Sequence, residues 1–494
     1  MLTFLTGLGI LLIGGFLYGN FVESIFRPDD RPTPAVKYAD GVDYVPMSKL
    51  KNSLINLLNI AGTGPIFGPI QGILFGPIAF ITIPIGCIIS GATHDYLSGM
   101  MSMRQDGAQM PGIIHKFLGN KVYQVYNIFL CFLMLLVGAV FTYTPGDLFA
   151  GQILHLDGVS IWTWLIYAAI LGYYLIATLF PIDKIIGRVY PIFGAILLFS
   201  AVGIFAGIFL KGYELTNLDF SRGLTGLFNM YPMWDAAGNT GAGTAFMPAF
   251  FVTVACGITS GFHSTQCALI GRSVRSEKEG KVTFYWMMIL EGFIAMIWAA
   301  AAMGIYNAGS INGATAVVGE VAHGILGPVG GIIAIIGIIV LPITSGDTAL
   351  RSCRLMIADY LHIDQKSAKN RILVTLGIFI PVILILIYAK MNAEGFNILW
   401  RYFAWANQTI AVFAFAAISI YLCAKKDAPK FAYLVSLLPG TFYLFIISSF
   451  LLSQKIGFGL PLYPSYIIAA ILSALYFIGI TRAGKSYAAN HSEE

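Results

Sequence analysis

Apolar residues run in long blocks along most of this chain, and polar residues gather between the blocks. A helix of about twenty apolar residues crosses the hydrocarbon of a bilayer. Runs of that kind lie near 2–22, 52–75, 77–101, 122–149, 160–180, 188–211, 246–270, 282–306, 327–350, 371–389, 396–424, 430–452 and 462–481. The pattern predicts an all-α, polytopic membrane protein of about 13 transmembrane helices. Two runs are interrupted. Asn59 to Gly72 reads NIAGTGPIFGPIQG, placing Gly62, Gly64, Gly68 and Gly72 with Pro65 and Pro69 inside apolar sequence. Proline removes an amide donor and clashes with the preceding turn, so a continuous helix is disfavoured there. Ala255 to Gln266, ACGITSGFHSTQ, repeats the device with Gly257 and Gly261 beside Thr259 and Ser260. Unwound backbone at membrane depth survives only where protein buries it or a wet cavity borders it. Paired interruptions therefore point to a transporter's binding site, although glycines also serve close helix packing.

Charge sorts the loops. Of 29 Lys and Arg residues, 24 fall in alternate loops, and only Lys211, Arg222, Lys390, Arg401 and Lys455 fall in the others. The positive-inside rule makes the richer set cytoplasmic, which places the N-terminus outside and the C-terminus inside. Setting aside the first helix and the last two leaves two sets of five, each opened by a break. The third helix of each set carries a matching signature, Thr144-Pro145-Gly146-Asp147 and Thr344-Ser345-Gly346-Asp347. Five is odd, so the second set crosses in the opposite sense, giving a five-plus-five inverted repeat similar in plan to the amino-acid–polyamine–cation superfamily. The division expected is 1–51 for an extra helix and cytoplasmic loop, 52–211 for the first repeat and 212–245 for an external connection. The second repeat is then 246–425, and 426–494 holds two further helices and a short tail. Ala308 to Leu326 reads as a linker in preference to a gate-like re-entrant loop.

Only 11% of the 494 residues are charged and 57% are hydrophobic, against about 25% charged in soluble domains. The net charge of +5 is small and sorted by side, so it gives no nucleic-acid signal. The six cysteines show no CxxC pair or metal-like spacing and read as reduced packing residues. The first run lacks a basic leader and is long enough to span, so it reads as an uncleaved helix.

Ionisable groups at membrane depth are costly and face the interior, which makes each a site candidate. Glu291 lies near the centre of its helix and suits either a coupling proton or a structural hydrogen bond between helices. His94 and Asp95 are adjacent, which places them on different helix faces and argues against their pairing directly. They read as a proton relay or as a polar packing cluster. His263 follows the second break and suits contact with a solute carboxylate or a proton, the alternative being a satisfied core histidine. Asp347 with Thr344, Ser345 and Thr348 offers oxygen ligands suited to a hard cation such as sodium, or a carboxylate satisfied by its neighbours. Asn52, Asn56, Asn59, Asn407 and Gln408 read as interhelical hydrogen-bonding amides. The candidate substrate-binding residues are thus Gly62, Thr63, Gly64, Gly257, Thr259, Ser260, Gly261 and His263. The candidate ion-coupling residues are His94, Asp95, Glu291, Thr344, Ser345 and Asp347. No hydrolase, zinc-protease or phosphate-loop pattern occurs, and no metal or cofactor is expected.

IAGTGPIFGPIQG, GATHDYLSG, the segment ending GFHSTQ, LPITSGDTALR and RYFAWANQ resemble the carbon starvation protein A family, over roughly 52–425. The resemblance implies a bacterial inner-membrane transporter used during carbon limitation, taking up peptides or, as in close relatives, pyruvate with protons. A carboxylate-bearing substrate agrees with the positive helix N-termini that broken helices offer. The resemblance does not choose between peptide and pyruvate, and the residues do not choose between proton and sodium. A sensor, a channel or an intramembrane enzyme are the rival readings.

Overall fold

The computed structural model describes residues 1–494 except 42, 157, 180–182, 223–244, 311, 365–366, 393 and 492–494, and except the side chains of 178–179, 183–191 and 359. The side chains of Lys184 and Arg188, and most of the expected connection 212–245, lie outside what is described. Every described regular element is helical. Among the described residues, nine helices are long and apolar enough to cross a membrane. The runs at 52–75, 77–101, 160–180 and 246–270 appear instead as shorter or interrupted helices.

Helix α1 is Leu2–Phe26. The first interrupted run forms α2 (Lys49–Ile60) and α3 (Gly64–Gly72), parted at Ala61–Thr63. Ser48 caps α2 by accepting the Lys51 amide, and Pro65 sits in the first turn of α3, where a missing donor costs nothing. The next run forms α4 (Ala79–Gly86) and α5 (Thr93–Arg104), joined through the π-helical Cys87–Ala92. Then come α6 (Met110–Leu148), α7 (Ile161–Leu179) and α8 (Asp183–Leu210). The second interrupted run gives α9 (Phe246–Thr253), α10 (Ala255–Ile258) and α11 (Gly261–Ile270), with Thr259 and Ser260 extended between the last two. The rest are α12 (Met287–Asn307), α13 (Ala314–Tyr360), α14 (Ala368–Met391), α15 (Gly395–Ala424), α16 (Leu434–Ser453) and α17 (Leu462–Asn490).

The stretch 308–326 is not a linker. From Ala314 it is the first part of α13, and Val317, Val318, Val321 and Ala322 are fully buried. Its apolar positions fall on one helical face that the glycine-rich composition hides. Gly327 then turns the chain at φ +74°, as Gly119 does inside α6 at φ +79°. α6 and α13 carry the matched T-x-G-D signatures and pack along each other.

Glycines 64, 68 and 72, four residues apart, present one bare face of α3 to the second broken run. A methyl placed on them would meet Cys256, the Thr253 carbonyl and Val254 respectively. Close packing and helix breaking are thus both realised, with Gly62 in the break and the other three on the packed face. The asparagines of α2 fasten the two halves of the chain, and Gln408 ties α15 to α9 within the second. Asn52 donates to the Ser273 carbonyl at 2.9 Å, Asn56 to Thr283 at 2.9 Å and Gln408 to Phe251 at 2.6 Å.

At the lysine- and arginine-rich end, the chain after α1 is pinned by ion pairs. Arg104 donates twice to the buried Glu277, which also accepts the Asp29 amide at 3.0 Å. Arg31 is bonded to both Asp29 oxygens and holds that carboxyl down at about 2.

Candidate functional site

The two breaks meet. Gly62 and Gly64 from the first, and Cys256 and Ser260 from the second, line one small cavity with Asn59, Phe141, His263, Ser345, Phe403 and Asn407. Its volume of about 20 Å³ is room for one water. Helices α3 and α11 both begin here, each with the positive end of its backbone dipole toward the cavity. Asn407 anchors the second break from α15. Its Oδ1 accepts the Ser260 hydroxyl at 2.8 Å and the Phe262 amide at 3.4 Å, doing the work of a helix cap.

Behind the cavity, His263 joins two carboxylates. Its Nδ1 and Asp95 Oδ2 share a hydrogen bond of 3.1 Å, and its Nε2 lies 3.7 Å from Glu291 Oε2. All three side chains are at most 2% exposed. His94 Nδ1 also bonds Asp95, at 2.8 Å. The expectation that these neighbours would not pair is therefore corrected. Nδ1 lies near the base of the ring, and the short aspartate reaches it across the 100° between adjacent helix positions. With both Nδ1 atoms donating to Asp95, a neutral His263 ring turns a bare Nε2 to Glu291. Among the described residues, neither carboxyl oxygen of Glu291 has a hydrogen-bond partner, nor has His94 Nε2, whose ring packs on Phe415. An unpartnered carboxyl at this depth is a costly group.

Other candidates do not join this cluster. Asp347 accepts from the Tyr173 hydroxyl at 3.0 Å and lies 3.6 Å from Arg351, while Thr344 donates to the Leu341 carbonyl within its own helix. Ser345, one position on, faces the cavity. Asp147 mirrors this arrangement, for it takes the Tyr167 hydroxyl and pairs with Lys390 at 2.8 Å. Of the other residues at the breaks, Thr259 donates to Ser90 at 2.6 Å. Gly257 packs on Ala295, and Gly261 lies against the backbone of Asn407 and Ala411. Thr63 is fully buried, its hydroxyl without a partner among the described residues. These positions shape the breaks without lining the cavity.

Sequence reading took Asn59 and Asn407 for interhelical amides and Cys256 for a packing residue and did not name Phe141 or Phe403, yet all five line the cavity. Asn59 had a signal, as the last of three asparagines on one face of α2. The two phenylalanines had none among the 36 in the chain.

Comparison with known proteins agrees with this architecture. Over 89% of its length the chain superposes on 94% of a manganese transporter from Eremococcus coleocola, with a TM-score of 0.53 at 10% identity, a likeness of fold alone. A Haemophilus influenzae membrane protein is 41% identical over 352 residues, 62% of this chain and 92% of that one. The Escherichia coli peptide transporter CstA is 24% identical over 58% of this chain and 48% of its own. The pyruvate/proton symporter BtsT of the same organism is 24% identical over 55% and 44%. The chain thus spans about half the length of these two transporters. The profile of the carbon starvation protein CstA matches residues 1–223, 228–329 and 312–449. With the motifs in that order and the matches covering most of its length, this membrane protein belongs to the CstA family.

Proposed function

We propose that this chain is a secondary active transporter that imports a small carboxylate-bearing nutrient, a peptide or pyruvate, during carbon limitation. The observation that carries the reading is the small cavity between two helix breaks, with His263 bridging Asp95 and Glu291 behind it. In this reading the chain is a five-plus-five inverted repeat in the bacterial inner membrane, N-terminus outside and C-terminus inside. The substrate carboxylate docks against the starts of α3 and α11, near Gly62, Gly64 and Ser260. Uptake alternates access around that point by rocking one repeat against the other.

A proton is favoured over sodium as the coupling ion. Glu291 and His263 are proton-exchanging groups in line, whereas the hydroxyls and carboxylate at Thr344 and Asp347 are engaged elsewhere. A proton on Glu291 passes to His263 Nε2 once the 3.7 Å gap closes, giving an imidazolium held between two carboxylates. Its charge is then 3.1 Å from Asp95 on one side and next to the cavity on the other. A substrate carboxylate entering the cavity stabilises that imidazolium, which ties substrate binding to proton binding.

The test is uptake of radiolabelled pyruvate and of a dipeptide into proteoliposomes, with an inward proton gradient, an inward sodium gradient or neither. Accumulation of one solute driven by the proton gradient is expected. Flux that ignores both gradients identifies a channel and overturns the reading, as does binding without uptake.

A further inference from the structure

The two ends of the cavity between the breaks are built differently. Toward one end it is bordered by rings. Phe396, Trp400, Phe403 and Asn407 recur at helical spacing along one face of α15, and the last two line the cavity. From the first to the last, that face is about 16 Å long at 1.5 Å per residue. Phe403 lies against Phe141 of α6, ring centroids 6.0 Å apart, and against Trp400 at 5.5 Å. Trp400 meets Phe396 at 6.0 Å, and Phe396 stacks on Tyr143 of α6 at 5.1 Å. Phe67 of α3 touches both Phe396 and Trp400, and the Trp400 indole donates to the Thr253 carbonyl at 2.9 Å. Phe67, Trp400 and Phe403 are all buried.

The rings end at an ion pair. Lys390, in the last turn of α14, bonds both Asp147 oxygens at 2.8 and 3.0 Å and lies 5.4 Å from the centre of the Tyr143 ring. Tyr167 of α7 donates to Asp147 and packs beside Tyr143. The two charged side chains are only 12% and 14% exposed. Asp147 lies in the last turn of α6, whose start follows Arg104 closely, so the pair stands at the end away from the lysine- and arginine-rich one. Toward that rich end the cavity is less covered. Lys51, Ile55 and Asn59 succeed one another on α2, and Phe262, Gln266 and Leu269 on α11, and each is half-buried or exposed.

We propose that Asp147 and Lys390 are the latch of a gate, with the ring face of α15 behind it, which must part to admit solute from the outer face. The inference rests on the transport cycle proposed above. There α6 falls in the first repeat and α14 and α15 in the second, so rocking one repeat against the other separates both contacts. A lysine or a carboxylate left alone in so buried a setting is costly, which holds the latch shut. The counterpart Asp347 faces Arg351 four positions along the same helix, a contact that rocking does not break.

Cys256 lines the cavity and reports which end is open. A membrane-impermeant methanethiosulfonate is applied to intact cells, which present the outer face, and to inverted vesicles, which present the other. Mass spectrometry of the Cys256 peptide gives the labelling rate. The wild-type protein should be labelled in inverted vesicles and far more slowly in cells. Lys390→Gln and Asp147→Asn each remove an attraction made only in the shut state, so labelling in cells should rise roughly tenfold. Lys390→Arg keeps the pair and should behave as wild type. Wild-type rates in inverted vesicles show the variants to be folded. Equal labelling of the wild type from both faces overturns the gate, and so does labelling in cells that neither Lys390→Gln nor Asp147→Asn raises. The first of these needs no substitution, so the inference remains refutable if a variant fails to fold. Labelling needs neither solute nor gradient. One-sided labelling that Lys390→Gln abolishes therefore supports the gate even where the uptake assay overturns the transporter reading.

Discussion

The contact between the two breaks is testable by a pair of substitutions at Gly64 and Cys256. A methyl on Gly64 would overlap Cys256 Cβ and stand 2.7 Å from its Sγ, 0.7 Å inside the 3.4 Å of an ordinary contact. The nearest remaining atom is Cys256 Cα at 3.5 Å, which is tolerable. Gly64→Ala alone therefore overpacks and should cost about 1–3 kcal/mol. Cys256→Gly alone places a glycine in a helix and forfeits a buried CH2–SH group, roughly 2 kcal/mol together. In the double variant the overlap is gone, and the loss should be near that of Cys256→Gly alone. The coupling is then roughly 2 kcal/mol, within the range seen for touching residues. Unfolding by SDS in mixed micelles, read by tryptophan fluorescence, gives the four free energies. A double variant whose loss equals the sum of the singles to within about 0.5 kcal/mol would refute the face-to-face packing of the breaks.

Three further outcomes follow from the same geometry. Gly62→Ala meets only Phe141, at 3.5 Å, so the protein should fold normally while the methyl fills a one-water cavity and cuts uptake at least tenfold; Gly261→Ala, driven onto the Asn407 and Ala411 backbone, should fail to fold. Size-exclusion profiles and uptake separate the two. Glu291→Gln should fold and still exchange substrate across the membrane, yet lose accumulation driven by a proton gradient; retained accumulation removes Glu291 from coupling. Glu277→Ala takes from the buried Arg104 the carboxylate it bonds twice, leaving it Asp29 at 3.3 Å, and should cost about 3 kcal/mol, whereas Arg104→Met with Glu277→Leu should recover most of it. Equal melting temperatures of the single and double variants would show the pair to be dispensable.

The all-helical membrane class was fixed by run length and hydropathy, because bilayer thickness and backbone hydrogen bonding admit few alternatives. The breaks were legible for a similar reason: proline and glycine act locally, and Pro65, Gly62 and Gly261 interrupt the helix wherever the chain goes. Charge at membrane depth singled out His94, Asp95, His263 and Glu291, since such residues are retained only where something interior meets them. Their arrangement was not legible. His263 reaches Asp95 from 168 positions away and Glu291 from another helix, and only packing brings those three elements to one point. Adjacent His94 and Asp95 looked divergent from helix geometry alone, and it was side-chain reach that joined them. Asp347 and Asp147 looked alike in sequence and proved alike in space, each held by a tyrosine of α7 and a cation. Local sequence names hydroxyl neighbours for a carboxylate, but the partner from another helix decides whether it is free to bind an ion. The same division holds for Gly64. Its composition signalled a break, and only tertiary structure showed that its missing side chain makes room for Cys256.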